Sequence, residues 1–244
     1  MAYKNRLLSV IPGGAHTYSK GYDQFPSNAP EILKRGKGSY IYDENNNKFL
    51  DYGMGLRAVN LGYSNKKVNK AAIKQINFGN NLTKPSLIEL EAAELFVDNI
   101  DSADMVKFTK NGSSATTAAI KLSRAYTGRN MIARCIEQPF LSYDDWFIGS
   151  TPIKLGINQN DIDNIKIFNY NNVESLEKVF FEHPNQIACV ILEPATTEHP
   201  KNNFLHKVKE ICHKNGALFI LDEMITGFRW HLKGAQHFYG VKPD

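Results

Sequence analysis

Two apolar stretches, Ile-Ala-Cys-Val-Ile-Leu at residues 187–192 and Ala-Leu-Phe-Ile-Leu at residues 217–221, decide the fold of this 244-residue chain. Each is an unbroken apolar run of strand length, as expected of a strand that is buried on both faces of a parallel sheet. The segment between them has helical periodicity from residue 204 to residue 215 and is followed by Gly216, a residue type that commonly ends helices. A strand, a helix and a second strand in this order predict a β-α-β unit and therefore an α/β fold.

The same alternation of strands and helices extends upstream of this unit. Further strands are predicted at residues 105–109, 131–135 and 165–168, and helices at residues 65–77, 87–97, 113–128 and 173–181. Ser64 is expected to cap the first of these helices, and Ser86 with Glu89 forms a capping-box pattern for the second. Helices that alternate with strands predict a mostly parallel sheet with helices on both faces.

The first 60 residues have a different composition from the rest. Glycines separate short β-like runs at residues 39–42 and 48–52, and the polar segment 43–47 lies between these two runs. This pattern predicts a small hairpin-bearing segment. We therefore predict a division into two domains, residues 1–60 and residues 61–244.

The composition excludes several classes of protein. The 29 basic residues are interleaved with 25 acidic ones, and the one basic cluster, at residues 66–74, has the spacing of a solvated helix face, so no nucleic-acid partner is expected. No apolar run approaches the roughly 20 residues that span a membrane, and no apolar leader is apparent. Three cysteines without Cys-x-x-Cys spacing favour the cytoplasm. The seven histidines form no metal-ligand pattern, so no metal is expected.

Ligands of parallel α/β sheets bind beyond the carboxyl ends of the strands, so the residues that follow the predicted strands are candidate site residues. The sequence Lys-Asn-Gly-Ser-Ser-Ala at residues 110–115 follows one strand and leads into a helix. Backbone N–H groups and hydroxyls at a helix N-terminus suit a phosphate. A serine that only caps the helix has the same pattern, so both interpretations stay open. The P-loop and dinucleotide-binding patterns are absent.

Two other strand ends carry aromatic and acidic side chains. The loop at residues 136–146 holds three aromatic residues, which either stack on a flat ligand or fill the surface beneath the loop. Asp222 directly follows the strand at 217–221, so we expect its carboxylate to be at least half buried and to need a cationic or hydrogen-bonding partner. That partner is Arg229 or Lys233 in a purely structural arrangement, or a cationic atom of a ligand.

Several motifs occur in the order and spacing of a known family. They are IPGG at 11–14, YIYDENNNKFLDY at 40–52, LGY at 61–63, NGSSAT at 111–116 with AAIKLSRAYTGR at 118–129, LEP at 192–194 and LDEMITGFR at 221–229. Together they resemble the class III aminotransferases, and among these the glutamate-1-semialdehyde 2,1-aminomutases, over essentially the whole chain. The resemblance implies a fold type I transferase with pyridoxal 5′-phosphate as cofactor. It also implies that residues 1–60 are the N-terminal part of a small α+β domain and that residues 61–244 are a partial large domain that binds the cofactor.

The resemblance further implies a set of residues that contact the cofactor. Gly112 and Ser113 fall on the positions that hold the cofactor phosphate, and Asn111 lies next to them in the cofactor-binding set. Those at the pyridine ring are Phe140, which stacks on one face, Met224, which covers the other, and Asp222, which pairs with the ring nitrogen. A carboxylate beside that nitrogen keeps it protonated, and the protonated ring is the electron sink of this chemistry.

The function implied by the resemblance is amino-group transfer through a Schiff base, between a small-molecule donor and a carbonyl acceptor, by a homodimer. Two alternatives stay open: an aminomutase that moves the amino group within one molecule, and a non-catalytic fragment that only binds cofactor or dimerises.

The resemblance also places the Schiff-base lysine and two substrate-binding residues. In the family this lysine comes after a segment that resembles residues 240–244, so it is expected beyond Asp244. No catalytic residue is therefore assigned, and we expect a truncated chain that is inactive alone. Lys20, which aligns with a substrate-binding arginine, and Arg57 are candidate substrate-binding residues.

Overall fold

The computed structural model, which describes residues 2–244, divides into two compact units after Lys84. The predicted division after residue 60 differs from this boundary because a helix, Lys66–Phe78, lies with the N-terminal unit. The assignment of the units to a small domain and a cofactor-binding domain stays a prediction. Each unit is described by itself below.

The N-terminal unit contains a three-stranded antiparallel sheet. Its elements are helix α1 (Tyr3–Val10), strands β1 (Leu33–Lys37), β2 (Tyr40–Asp43) and β3 (Lys48–Leu50), and helix α2 (Lys66–Phe78). Strands β2 and β3 form the predicted hairpin. The carboxylate of Asp43 closes the turn, since it accepts hydrogen bonds from the backbone N–H of Asn45 and from the backbone and side-chain N–H groups of Asn47.

Helix α2 begins one residue later than the sequence predicted. The side chain of Asn65 caps it by accepting hydrogen bonds from the N–H groups of Lys67 and Val68. The predicted cap, Ser64, was wrong: its φ is 55°, and its hydroxyl donates to the carbonyl of Gly36. Serine and asparagine are both good N-cap residues, so the residue types do not distinguish Ser64 from Asn65. Because the hydroxyl of Ser64 binds Gly36, Asn65 caps the helix instead.

The C-terminal unit is built around four parallel strands in the order β5-β4-β6-β7. The strands are β4 (Met131–Cys135), β5 (Ile165–Phe168), β6 (Ile187–Leu192) and β7 (Leu218–Leu221). The helices are α3 (Leu87–Asn99), α4 (Gly112–Thr127), α5 (Asp145–Ile148), α6 (Gln159–Asp163), α7 (Val173–Glu182), α8 (Phe204–Lys214) and α9 (Gly234–Tyr239). The α/β prediction is confirmed, as are the capping box of Ser86 and Glu89 on α3 and the end of α4 at the left-handed Gly128.

Helices cover both faces of this sheet. Strand β6 lies inside it, and all six of its residues are buried. On one face its side chains pack with α7 and α8, through residues such as Leu176 and Val208. On the other face they pack with Ile120 of α4 and with Trp146 and Phe147 of α5. The sheet therefore has the doubly covered form that an all-apolar strand indicates.

The strand predicted at residues 105–109 was wrong. This segment is irregular, and Met105 and Phe108 are 89% and 53% exposed. A strand forms only where a neighbouring strand accepts and donates its backbone hydrogen bonds. None of the strands described in residues 2–244 pairs with this segment, so its apolar composition alone was not enough.

The helices described in residues 2–244 are not suited to a bilayer. None of them combines the length with the apolar character needed to cross a membrane.

Candidate functional site

Asp222 is a buried carboxylate with one open acceptor. It follows β7 directly and is only 6% exposed. Its Oδ1 accepts a hydrogen bond from the N–H of Met224 at 2.9 Å, whereas its Oδ2 is buried without a hydrogen-bond partner among residues 2–244. Burial raises the pKa of Asp222 to about 6. The hydrogen bond from the N–H of Met224 lowers this pKa, but by less than burial raises it, and the charge of Glu223 adds to the increase. Oδ2 of Asp222 therefore lacks a hydrogen-bond donor or a positively charged group.

The partners that the sequence suggested for Asp222 are engaged elsewhere. The ammonium group of Lys233 lies 2.9 Å from Asp101 and forms an ion pair with it. The Nε of Arg229 donates to the carbonyl of Ile225. Neither side chain forms a hydrogen bond with Oδ2 of Asp222 among residues 2–244, and a cationic atom of a ligand as its partner stays a prediction.

The N-terminus of α4 presents backbone N–H groups beside a buried serine. Asn111 is the cap, and its Oδ1 accepts from the N–H of Ser114 at 2.9 Å. Gly112 and Ser113 form the first turn of the helix, where backbone N–H groups have no helical acceptor. The hydroxyl of Ser113, which is 7% exposed, accepts from the N–H of Tyr143 and so keeps its own proton for donation to an anion. Asn111 therefore does the capping, which leaves Ser113 available.

Three hydroxyls fasten α4 to the loop at residues 136–146. Besides the contact of Ser113, the hydroxyl of Thr116 donates to the carbonyl of Leu141 at 2.9 Å. The hydroxyl of Thr117 donates to the carboxylate of Asp144. The aromatic loop and the start of α4 are therefore held in one fixed arrangement.

Met224 connects the Asp222 loop to the same helix N-terminus. A Cβ atom at Gly112 would lie 1.8 Å from the Sδ of Met224, so the thioether occupies the space that a side chain at position 112 would take. Two of the predicted contact residues, Gly112 and Met224, thus lie together, and Asp222 is hydrogen-bonded to the backbone of Met224.

The aromatic loop divides between the two roles that the sequence left open. Trp146 is 4% exposed and fills the core, with Phe147 beside it. Phe140 and Tyr143 are 55% and 57% exposed. The ring of Phe140 meets that of Phe147 edge-on at 5.8 Å, which leaves much of its own surface open for contact with a ligand.

Glu223 is a residue whose role the sequence analysis missed. One of its carboxylate oxygens accepts from the N–H of Ala235 at 2.5 Å and the hydroxyl of Thr226, and the other accepts from the N–H of Gln236. Gly234 has a φ of +80°, and a Cβ there would lie 2.7 Å from this carboxylate. Glu223 therefore ties the segment that carries Asp222 and Met224 to α9. The sequence does contain a signal for Glu223, because it lies between Asp222 and Met224, which are both candidate site residues.

Arg134 was also missed, although it is a charged residue in an otherwise apolar strand. It is 3% exposed and donates to the carbonyls of Cys135 and Gln138. Gln138 in turn joins the ends of β4 and β6, because its side-chain amide exchanges two hydrogen bonds with the backbone of Glu193.

Asp244, the residue beyond which the Schiff-base lysine is expected, lies against β7 and α8. Its backbone N–H donates to the carbonyl of Phe219 at 3.0 Å. Its carboxylate accepts from the N–H of Phe219 at 2.8 Å and lies 3.0 Å from the Nε2 of His213. Asp244 therefore has a structural role in holding residues 241–244 beside the sheet, and Lys242 in this segment is exposed. The position of the Schiff-base lysine beyond Asp244 stays a prediction, and no catalytic residue is assigned among the described residues.

The two candidate substrate-binding residues lie in the N-terminal unit. Lys20 ends the short 3-10 turn Tyr18–Lys20 and is exposed. Arg57 is exposed and has a φ of 69°. Their roles stay predictions. Among the described residues there is no group of three or more His, Cys, Asp or Glu side chains that could hold a metal ion.

Comparisons with known proteins show what the whole chain is similar to. The model of the family described as aminotransferase class-III matches residues 22–244. The glutamate-1-semialdehyde 2,1-aminomutase of Wigglesworthia glossinidia brevipalpis is 36% identical over 250 residues, which cover 96% of this chain and 57% of that protein. Two solved structures superpose with a TM-score of 0.90: the FumI protein of Sphingopyxis sp. MTA144, 30% identical, and an omega-transaminase of Sphaerobacter thermophilus, 28% identical. Each covers 99% of this chain, which in turn covers 59% and 58% of them. The chain thus spans somewhat more than half the length of these relatives.

Proposed function

The chain belongs to the class-III aminotransferase family, and we propose from this premise that it binds pyridoxal 5′-phosphate and serves the transfer of an amino group from a small-molecule donor to a carbonyl acceptor. The FumI structure is described as a form with this cofactor. When bound, the cofactor supplies the electron sink for the electron pair that is released at the substrate Cα. The residues of this chain hold and polarise it.

The observation that carries the proposal is the open Oδ2 of Asp222. A protonated pyridine nitrogen is both a hydrogen-bond donor and a cation, which are the two properties that this buried carboxylate lacks. A cation at hydrogen-bond distance lowers the pKa of a carboxyl group. Asp222, whose pKa burial raises to about 6 in the free chain, would therefore be ionised in the complex and would hold the proton on the ring nitrogen.

The start of α4 supports the proposal at the phosphate end. The free N–H groups of the first helical turn and the positive end of the helix dipole both favour an anion. Ser113 adds a hydroxyl proton, because its oxygen already accepts from Tyr143. We propose that Gly112 and Ser113 contact the phosphate and that Asn111, as the cap, holds the turn in place.

Phe140 and Met224 fit the two faces of a flat ring. Both side chains are about half exposed, so each has apolar surface to offer. The Sδ of Met224 lies beside Gly112 at the start of α4, and Phe140 is held by a loop that α4 anchors. Aromatic rings and thioethers both make favourable contacts with aromatic ligands.

We propose that the active protein is a homodimer. Four apolar residues of α3 are between 47% and 70% exposed, namely Leu87, Ile88, Leu90 and Leu95. Exposed apolar groups of this size are typical of interfaces. Sedimentation analysis of the wild type and of Leu90→Glu tests this point, since an equal proportion of dimer in both would contradict a role for α3.

A second candidate function is intramolecular amino transfer. It is favoured by the 36% identity to an aminomutase. Under either function we propose that Lys20 and Arg57 bind an anionic group of the substrate, because both side chains are exposed cations. Substrate that carries ¹⁵N distinguishes the two functions: a mutase retains the label within the product molecule, whereas a transferase passes it to the acceptor.

Cofactor binding by the 244-residue chain tests the proposal directly. The chain is titrated with pyridoxal 5′-phosphate, and binding is followed by absorbance and by ³¹P NMR. A hydrogen bond between charged groups contributes about 1.5–3 kcal/mol, so Asp222→Asn should raise the dissociation constant by roughly 10- to 100-fold. Ser113→Ala should raise it several-fold.

The matched control is Asp98→Asn, which removes an exposed carboxylate from α3 and should leave the dissociation constant unchanged. If Asp222→Asn binds the cofactor as tightly as the wild type does, Asp222 is not the partner of the ring nitrogen.

A further inference from the structure

A cavity of about 530 Å³ opens beside the carboxyl end of β4, and nothing in the proposed cofactor site uses it. We call it the β4 cavity. Its polar lining residues are Arg134, Gln138, Ser150, Thr151 and Lys154. Its apolar lining residues are Ile136, Pro139, Phe147 and Pro152. Sites for small organic ligands have about this volume and this mixture of apolar walls and few polar groups.

Arg134 is a buried cation whose hydrogen-bond partners are all neutral. Its Nε donates to the hydroxyl of Ser150 at 2.6 Å, and its Nη1 donates to the carbonyls of Cys135 and Gln138. Its Nη2 donates once, to the carbonyl of Ser150. A guanidinium group has five N–H donors, so one N–H at Nη2 is left for a ligand.

The charge of Arg134 has no counter-charge in contact with it. No carboxylate forms an ion pair with it in the part of the chain that the structure describes. The nearby Glu137 uses its carboxylate oxygens to accept from the side chain of Asn169 and the N–H of Tyr170. Burial lowers the pKa of the Arg134 guanidinium, and the charge of Glu137 offsets only part of this effect. An anion in direct contact with the guanidinium would therefore reduce the cost of burying its charge.

The rest of the lining strengthens this preference for anions. Lys154 adds a second positive charge, and none of the lining residues is acidic. The hydroxyl of Ser150 donates its proton to the carbonyl of Phe147. The main hydrogen-bond donors that face the cavity are therefore Arg134 and Lys154. The apolar walls offer contact to an organic body rather than to a bare ion.

We propose that the β4 cavity binds a small organic phosphate, whose oxyanion is held by Arg134 and Lys154 and whose body packs against the exposed side chains of Ile136 and Pro152. The ring of Phe147 lies 5.8 Å from that of Phe140, the residue proposed to stack on the cofactor. The cavity is therefore suited to the phosphate end of an amino-group substrate, and this identification of the ligand as substrate rests on the proposed function. It is separate from the turn at Gly112 and Ser113 that is proposed to hold the cofactor's own phosphate.

Binding of phenyl phosphate to the 244-residue chain, measured without pyridoxal 5′-phosphate and again with one equivalent of it, tests the proposal. Calorimetry gives the affinity, and the Nε–H signals of arginine in ¹H–¹⁵N NMR report on Arg134. Because one charged contact is lost, Lys154→Ala should weaken binding by about five- to tenfold. Lys207→Ala, which removes an exposed lysine from α8, should leave it unchanged. Both lysines are exposed, so neither change threatens the fold.

The choice of ligands separates the possible sources of the anion. Phenyl phosphate should bind more tightly than inorganic phosphate because of the apolar walls, and benzyl alcohol, which has no charge, should not bind measurably. Equal affinities for phenyl and inorganic phosphate would overturn the assignment of an organic ligand. Equal binding by Lys154→Ala and the wild type, or no binding, would overturn the site itself.

The two proposals fail independently. If pyridoxal 5′-phosphate does not bind, the proposed function fails. The β4 cavity is then tested by measuring the binding of phenyl phosphate to Ser113→Ala, which removes a hydrogen-bond donor from the first turn of α4. Binding of phenyl phosphate that depends on Lys154 but not on Ser113 supports the cavity. The reverse dependence overturns it.

Discussion

Asp222 makes the stability of the cofactor-free chain depend on pH in an unusual direction. Burial holds the pKa of this carboxyl group at about 6, above its ordinary value of 3.8. Below about pH 4 both the folded and the unfolded chain carry the proton, and there is no penalty. Between about pH 4 and pH 6 the unfolded chain loses this proton while the folded chain keeps it, so the free energy of unfolding falls as the pH rises. Above about pH 6 the full penalty is present.

The size of this effect follows from the shift of about two pKa units. Each unit corresponds to 1.36 kcal/mol, so ionised Asp222 destabilises the free chain by about 3 kcal/mol at neutral pH. Asp222→Asn removes the charge and with it this penalty. The amide of asparagine places an N–H₂ group where Oδ2 has no partner, at a cost of about 1–3 kcal/mol, and this cost does not depend on pH. The change with pH is therefore the informative quantity.

Urea unfolding of the wild type and of Asp222→Asn at intervals between about pH 4 and pH 8 measures it. The stability of Asp222→Asn relative to the wild type should rise by about 3 kcal/mol across this range. Asp98→Asn, in which the carboxylate is exposed, should show a flat difference. A flat difference for Asp222→Asn as well, or one that falls as the pH rises, would refute the reasoning. Saturating pyridoxal 5′-phosphate should flatten this dependence between about pH 4 and pH 8, because a cation beside Asp222 lowers its pKa.

Three further predictions concern the framework around the site. Gly234→Ala should lower the free energy of unfolding by about 2–3 kcal/mol, because the new Cβ collides with the carboxylate of Glu223. Gly156 has a similar φ and open space around it, so Gly156→Ala should lower the free energy of unfolding only by the backbone strain. Equal losses for the two variants in urea unfolding would contradict the collision. Ser86→Ala removes the capping box of α3 and should cost about 1 kcal/mol; an unchanged unfolding midpoint argues against it. All three cysteines are buried and free, and burial raises the pKa of each thiol. Iodoacetamide near pH 8 should therefore alkylate none of them until urea is added, as measured by mass spectrometry. Alkylation of the native chain would show that a thiol is accessible.

The strands that the sequence predicted correctly are those with unambiguous local patterns. Strands β4, β5 and β6 have the predicted bounds, because each is a short run bounded by turn signals. The segment at residues 105–109 has similar residues and was predicted in the same way. It differs in having no neighbouring strand within residues 2–244, and a local pattern carries no information about a neighbour.

The caps show the same limit on a smaller scale. Ser86 and Glu89 were identified because the capping box is contained in four consecutive residues. The cap of α2 was placed on Ser64 instead of Asn65 because both residue types cap well. The contact that decides between them, from Ser64 to Gly36, joins residues that are 28 positions apart.

The periodic elements, the acid that follows β7 and the Gly-Ser turn that opens α4 could be predicted from the amino-acid sequence, because each depends on residues close together in the chain. The resemblance of its motifs added the family, which the comparisons confirm. Three features became apparent only in the folded chain: Oδ2 of Asp222 has no hydrogen-bond partner among residues 2–244, Glu223 connects this segment to α9, and Arg134 is buried beside a cavity. Each of these features is set by groups that chain folding brings together from distant positions, and burial, which changes the pKa of Asp222 and the cost of the Arg134 charge, exists only once the chain has folded.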